Sequence, residues 1–214
     1  MKHNKIRIAI LGSTGSIGKQ ALEIIQKHDR LFEVVLLSAH SNWRLLDEQA
    51  KTFKPKYAVL TGLVSENNNI KIGDPAKTKM YVDPHALNEL VNLPEIDIVL
   101  NSLVGFAGFS PTYYALKANK KVALANKESL VVGGAIITEL LTQSKGSLIP
   151  IDSEHSAMLQ SLIGEEKENI EEIIITASGG PFRSLSLEEM QDVSVEQALK
   201  HPNWSMGSKI TIDS

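Results

Sequence analysis

The chain has 214 residues, 43% of them hydrophobic and 22% charged, enough for one large domain or one domain plus part of a second, with a core of ordinary size. The formal net charge is −3, with basic residues spread along the chain; nothing resembles a nucleic-acid footprint, and any phosphate recognised belongs to a small molecule. Cysteine is absent, which excludes disulfides, thiolate metal sites and a cysteine nucleophile and is compatible with a reducing cytoplasm.

The first eleven residues have a short basic start, then a few apolar residues that run straight into a glycine turn. They read as a strand, not a signal peptide, and no apolar run reaches membrane-spanning length. Strand candidates are Ile6–Leu11, 34–38, Tyr57–Leu60, 96–100, 122–125 and 148–151. Between them lie helical patterns at 19–28, Trp43–Phe53 (closed by Pro55), 85–93, 112–119 and 135–144. In the first, Ala21, Leu22, Ile24 and Ile25 share one side. The strands are continuously apolar, which suits a parallel sheet covered on both faces. The fold class expected is α/β: a Rossmann-like doubly wound parallel sheet.

Residues 64–79 are polar and Asn-rich and read as an excursion between elements. The rhythm changes after Pro150, so the expected organisation is a dinucleotide-binding domain over 1–150 and the incomplete start of an α+β catalytic domain over 151–214. The second part is expected to hold a helix at 155–163 and a strand at 173–177. Two short helices then carry capping boxes, Ser186 with Glu189 and Ser194 with Gln197, and a last strand covers 209–212.

Gly12-Ser13-Thr14-Gly15-Ser16-Ile17-Gly18 follows the first strand and opens the first helix. Glycines let the backbone approach a pyrophosphate, and the helix N-terminus offers unpaired N–H groups and partial positive charge. The spacing is G-x-x-G-x-x-G, so the strand-to-helix context carries the assignment. An NAD site usually has a carboxylate at the end of the second strand. Here that place reads Ser38-Ala39-His40-Ser41-Asn42-Trp43-Arg44, with no carboxylate before Asp47. Hydroxyl, amide and guanidinium groups suit a 2′-phosphate, which favours NADP. Arg44 is either part of that site or a solvated helix residue.

Asp152 and Glu154 are two residues apart, and an extended backbone would place both on one face. Two carboxylates together suit Mg2+ or Mn2+, although D-x-E alone is commonly a solvated turn. His155 alone is more often a packed or hydrogen-bonded histidine than a ligand. Asn126-Lys127-Glu128 ends another strand, where ligands of open α/β sheets collect; Lys127 could meet a phosphate or a reacting oxygen, or could be an ordinary exposed lysine. Ser178-Gly179-Gly180-Pro181 could form an anion nest. His201-Pro202-Asn203-Trp204-Ser205-Met206-Gly207 is either a lid or a surface loop anchored by its tryptophan.

Together these motifs resemble the 1-deoxy-D-xylulose 5-phosphate reductoisomerase family. The matching strings are ILGSTGSIG at 10–18, LANKESLV at 124–131, PIDSEHSA at 150–157, SGGPFR at 178–183 and HPNWSMG at 201–207. The resemblance implies NADPH as reductant, a divalent metal (Mg2+ or Mn2+) as Lewis acid, and a sugar phosphate substrate. The implied reaction rearranges and reduces a pentulose phosphate to 2-C-methyl-D-erythritol 4-phosphate, a step of non-mevalonate isoprenoid precursor biosynthesis. It also implies a cytoplasmic homodimer, with no nucleic-acid or membrane partner, inhibited by the phosphonohydroxamate fosmidomycin. By resemblance Thr14, Gly15, Ser16, Ile17, Asn42, Asn126, Glu128 and Gly207 fall at cofactor positions, with His40 and Ser41 beside them where the family often has glycine and a basic or small residue. Lys127, Ser153, Glu154, Ser178, His201 and Ser214 fall at substrate positions, and Trp204 at the indole of a flexible flap. Asp152 and Glu154 fall at metal positions; with Lys127 they are the expected catalytic residues. The family continues beyond the position of Ser214 with an asparagine and a lysine for the substrate phosphate, a third acidic metal ligand and a helical C-terminal domain. The chain therefore resembles a truncated form, expected to be inactive alone. A semialdehyde-type dehydrogenase is opposed by the missing cysteine. A non-catalytic dinucleotide-binding module would leave the carboxylate pair and the Trp-Met loop unexplained.

Overall fold

The computed structural model describes residues 5–62, 70–176, 179–200 and 211. The chain divides into two compact units, Met1–Ser161 and Leu162–Ser214. In the first, the elements run β1 (Ile6–Leu11), α1 (Ser16–Lys27), β2 (Phe32–Ala39), α2 (Trp43–Phe53), β3 (Tyr57–Leu60), β4 (Lys79–Val82) and α3 (Ala86–Leu90). They continue with β5 (Ile98–Asn101), α4 (Phe109–Lys117), β6 (Lys121–Leu124), α5 (Glu128–Gln143), β7 (Ser147–Pro150) and α6 (Ser153–Ser161).

The seven strands form one sheet in the order β4-β3-β2-β1-β5-β6-β7, every pair parallel. This is the doubly wound α/β sheet expected from the continuous apolar runs, which bury on both faces. Ala9 and Leu11 of β1 pack on one side with Leu87, Leu116 and Ile137 of α3, α4 and α5. Ile8 and Ile10 pack on the other with Leu22 and Ile25 of α1 and Leu46 and Ala50 of α2. Strand order reverses at β1, whose neighbours are β2 and β5. A ligand crevice opens at the carboxyl ends of the strands at such a switch point. The register passes from Ile8 opposite Val34 to Ala9 opposite Leu36. Val35 is thus an extra residue, and it buries on the same face as Leu36, as a bulge requires.

Most element ends fall within three residues of expectation, and three differences go further or bear on the site. β4 falls at the end of the segment read as an excursion; it is an edge strand with exposed ends and lacks the apolar run that marks its neighbours. α5 begins at Glu128, seven residues before the periodic pattern suggested, and passes through a kink at Gly133 (φ −128°, ψ 25°); the Gly133-Gly134 pair hid the first turns. α6 begins at Ser153, two residues early, and this changes the geometry of the acidic pair. Among the described residues no helix is long and apolar enough to cross a membrane.

In the second unit the strand expected at 173–177 does not form over the described residues 171–176. Ile173, Ile174 and Ile175 are 60%, 74% and 68% exposed. A β-branched run is competent for a strand, but stability comes from cross-strand partners, and among the described residues this segment pairs with none. Both capping boxes are present. Ser186 N–H donates to Glu189 Oε2 at 2.8 Å and Glu189 N–H to Ser186 Oγ at 3.3 Å; Ser194 N–H donates to Gln197 Oε1 at 2.7 Å and Gln197 N–H to Ser194 Oγ at 3.3 Å. They open a short 3-10 turn (Glu189–Asp192) and α7 (Val195–Ala198). Of the strand expected at 209–212 only Thr211 is described, and it is helical and buried.

Candidate active site

The glycine loop joins β1 to α1 by a turn closed from Gly15 N–H to Gly12 O at 3.0 Å. Gly12 has φ +81°, and a Cβ there would lie 2.8 Å from the carbonyl oxygen of Ser102. A Cβ on Gly18 would collide with Gly12 O and Ser13 Cα, so the helix can start this close to the strand only with glycine. Thr14 and Ile17 are half-buried, and Gly15 and Ser16 exposed. α1 has no side-chain cap and no acidic residue in its first turn, so its positive end is not neutralised from within the helix.

At the end of β2, His40, Ser41 and Asn42 are exposed. Asn42 caps α2 by accepting from Leu45 N–H at 3.2 Å, and His40 Nδ1 lies 3.3 Å from Thr61 Oγ1. The Arg44 guanidinium stacks over the Trp43 ring, 4.7 Å from its centroid. Asp47, the first carboxylate after the strand, is already engaged: it accepts from Gly73 N–H at 2.8 Å and from Lys51 Nζ at 2.6 Å. Among the described residues no ribose-binding carboxylate therefore stands at this strand end, in line with a 2′-phosphate.

At the end of β6, Asn126 is 1% exposed. Its Nδ2 donates to Leu103 O at 2.8 Å, Gly105 O at 2.9 Å and Glu128 Oε2 at 3.2 Å. Its Oδ1 accepts from Ser129 N–H at 2.9 Å and from the Ser129 hydroxyl. Asn126 thus ties the β6–α5 junction to the loop after β5. Lys127 follows as the N-cap of α5, and Glu128 lies half-buried in the helix's first turn.

Strand β7 lies beside β6, and at its end Asp152 faces Lys127, with Nζ 3.5 Å from Oδ2. Asp152 immediately precedes α6; its carbonyl accepts from Ser156 N–H at 2.8 Å, and Glu154 sits in that helix's first turn, not on a strand. Glu154 is helical, so the two carboxylates do not share the face of an extended strand expected from their spacing. The start of the helix at Ser153 sets the two carboxyls close enough for Glu154 to influence the Asp152 carboxyl. His155 Nδ1 holds Asp152 Oδ1 at 2.7 Å, and Ser153 Oγ donates to Glu154 Oε2 at 3.0 Å. Burial raises the Asp152 carboxyl, but hydrogen bonds from His155 and Glu154 and the Lys127 ammonium outweigh it and hold the carboxyl below its ordinary value. Two adjacent carboxylates whose like charges must share a proton or a cation fit a hard divalent ion in donor type. They supply only part of its shell: among the described residues no group of three or more His, Cys, Asp or Glu is placed to hold a metal ion.

The site residues Ser178, His201, Trp204, Gly207 and Ser214 lie outside the described residues. Sequence reasoning missed the supports of the glycine loop. Ser38 accepts from Gly12 N–H through its hydroxyl at 3.1 Å, Ser102 Oγ donates to Leu11 O at 2.7 Å, and Gln49 bonds Ser13. Gln49 carried a signal, being a polar residue three positions after Leu46 on the apolar stripe of α2.

The family profile described as 1-deoxy-D-xylulose 5-phosphate reductoisomerase matches residues 8–134, and that of the same enzyme's C-terminal domain matches 148–214. The chain belongs to the 1-deoxy-D-xylulose 5-phosphate reductoisomerase family. Curated members of the family from Bacteroides fragilis and Phocaeicola vulgatus are 48% and 49% identical over 98% of the chain. The chain spans about half the length of these relatives, 54% of each. Among solved structures, the Zymomonas mobilis reductoisomerase in complex with NADPH superimposes with TM-score 0.88 at 35% identity, covering 99% of this chain and 54% of that one. A reductoisomerase in complex with NADPH, fosmidomycin and magnesium gives TM-score 0.85 at 34% identity, covering 97% and 54%.

Proposed function

We propose that this chain forms the cofactor-binding part, 1–150, and the start of the catalytic part, 151–214, of a reductoisomerase that uses NADPH and a divalent metal, Mg2+ or Mn2+. The enzyme converts 1-deoxy-D-xylulose 5-phosphate to 2-C-methyl-D-erythritol 4-phosphate. One arrangement carries the reading: the glycine loop, Lys127 and the Asp152–Glu154 pair all lie at the carboxyl end of one parallel sheet, with Lys127 and Asp152 3.5 Å apart across β6 and β7.

Thr14, Gly15, Ser16 and Ile17 take the pyrophosphate at the positive end of α1, with the Gly15 N–H itself closing the turn onto Gly12 O. His40, Ser41 and Asn42, with Arg44, surround the 2′-phosphate. Asn126 and Glu128, with Gly207, shape the nicotinamide side. Asp152 and Glu154 hold the metal. Lys127 places an ammonium beside those carboxylates, where it orients a substrate oxygen and offsets charge developing on it. By their match to the family's motifs, Ser153, Glu154, Ser178, His201, Trp204 and Ser214 serve the substrate. When bound, NADPH supplies the hydride and the metal polarises the substrate oxygens. The full-length protein works as a cytoplasmic homodimer without nucleic-acid or membrane partners. The test is calorimetry of this chain with fosmidomycin, with and without Mg2+, alongside Asp152→Asn. Metal-dependent binding that Asp152→Asn abolishes supports the reading. NADPH binding with no metal-dependent fosmidomycin binding would favour a non-catalytic dinucleotide-binding module.

A further inference from the structure

We propose that Gln49, on helix α2, is a positioning residue for the cofactor: it fixes the glycine loop in the conformation that presents backbone N–H groups to the pyrophosphate. The inference rests on the NADPH reading of that loop.

Gln49 is 7% exposed and Ser13 fully buried, on an apolar stripe where a glutamine costs stability unless its amide is bonded. Both ends of the amide go to one residue of the loop. Ser13 Oγ donates to Gln49 Oε1 at 2.7 Å, and Gln49 Nε2 donates to Ser13 O at 2.9 Å, across a separation of 36 residues. Ser13 N–H is held in turn by Ser38 O at 2.8 Å, and its hydroxyl also reaches Ser38 O at 3.1 Å.

The bond to the Ser13 carbonyl has a geometric consequence. No peptide here is cis, and in a planar trans peptide the C=O and the following N–H point in opposite directions. Gln49 draws the Ser13 carbonyl inward toward α2, so the Thr14 N–H is turned outward. Without Gln49 the Ser13–Thr14 peptide keeps no side-chain anchor on its carbonyl and is free to rotate, which would turn the Thr14 N–H away. Gln49 lies in the helix whose N-terminus carries Asn42, Trp43 and Arg44. One buried amide therefore also fixes the distance between the pyrophosphate loop and the 2′-phosphate region.

The test combines amide hydrogen exchange on the cofactor-free chain with NADPH titration, for the unmodified protein, Gln49→Leu and Ser13→Ala. Gln49→Leu keeps the volume and removes both bonds. It is expected to speed exchange of the amides from Ser13 to Gly18 by about tenfold or more and to raise the NADPH Kd on the order of tenfold, while the amides of β1, β5 and β6 keep their protection. Ser13→Ala removes only the hydroxyl arm and is expected to give a several-fold effect in the same direction; it decides the matter if Gln49→Leu does not fold. Loop exchange unchanged in a folded variant overturns the proposal. So does protection lost uniformly through the sheet with the NADPH Kd of the folded protein unchanged, the pattern of a residue that only packs. Absence of NADPH binding by the unmodified chain would count against the cofactor reading, and loop exchange would then still decide the part played by Gln49.

Discussion

Lys127 reaches from the end of β6 to Asp152 at the end of β7, with Nζ 3.5 Å from Oδ2. The lysine side chain is 52% exposed and the aspartate 14%, so the carboxylate is fixed while the ammonium can swing away. With the metal on Asp152 as proposed, Lys127 would compete with it for the carboxylate in the absence of substrate. Lys127→Ala should therefore tighten Mn2+ binding, by roughly fivefold, an effect of about 1 kcal/mol once solvent screening is allowed for. Asp152→Asn should abolish measurable binding. Calorimetry or Mn2+ paramagnetic resonance reads both; Mn2+ affinity unmoved by either change would place the metal elsewhere.

The engagement of Asp47 by Gly73 and Lys51, with Arg44 stacked on Trp43, leads to a cofactor preference. The chain should bind NADPH more tightly than NADH. Arg44→Ala should narrow that gap by about tenfold through loss of one charge-assisted contact, leaving NADH affinity nearly unchanged. Trp43 sits beside the site, so tryptophan fluorescence follows both titrations. Equal or tighter NADH binding by the unmodified chain would refute this.

Asn126 has no spare hydrogen-bonding capacity: it serves Leu103, Gly105, Glu128 and Ser129. Asn126→Ala would leave the half-buried Leu103 and Gly105 carbonyls without their partner and remove the anchor of the first turn of α5. We expect a loss of about 3 kcal/mol in urea unfolding, with Lys127 displaced as a consequence. A loss under about 1 kcal/mol would mean that water or a neighbour replaces the amide.

At the opposite end of the sheet Asp97 takes two bonds from the Arg7 guanidinium, at 2.7 and 3.0 Å, and one from Arg7 N–H at 2.8 Å. Those bonds from Arg7 hold its carboxyl below the ordinary value of 3.8, against burial. A depressed carboxyl contributes stability that is fully present above the unfolded value and lost as pH falls through the folded one. Asp97→Asn should thus cost stability at pH 7, and the gap should shrink as the pH is taken below 3.8 and through the lowered folded value. With both side chains about 40% exposed, the cost is about 1 kcal/mol at most. Urea unfolding as a function of pH measures it, and a gap constant with pH would contradict the assignment.

Much of the sheet was legible because its strands are uninterrupted apolar runs and its glycine loop sits at a strand-to-helix junction. What escaped had a physical reason. β4 is an edge strand exposed at both ends, with no two-sided burial to write itself into the pattern. The isoleucines at 173–175 have the composition of a strand but no partner among the described residues, and pairing is not local information. Asp152 and Glu154 were correctly read as neighbours through the wrong backbone: the adjacency comes from a helix start at Ser153, where an apolar pattern is weak. Ser38 and Gln49 escaped as loop supports because their partners are distant in the chain, although a glutamine inside an apolar stripe was a readable anomaly.

The last prediction concerns turnover. The reaction needs the hydride donor, the metal and the substrate held at once in a productive geometry. The glycine loop and the β6–α5 junction provide for the first. For the second, Asp152 and Glu154 are close, but among the described residues no third acidic or histidine side chain is placed with them to hold a metal ion, and two carboxylates leave most of a six-oxygen shell to water. For the third, the described residues offer Lys127 and Ser153, close to the metal pair, and the chain spans only 54% of its curated relatives. A misplacement of about 1 Å can already cost on the order of a hundredfold in rate. The 214-residue chain should therefore oxidise NADPH with 1-deoxy-D-xylulose 5-phosphate and Mn2+ at least about a thousandfold more slowly than a full-length relative, while still binding NADPH. Mass spectrometry of the assayed sample must show a polypeptide ending at Ser214. Turnover comparable to the relative's would mean that these residues alone complete the site.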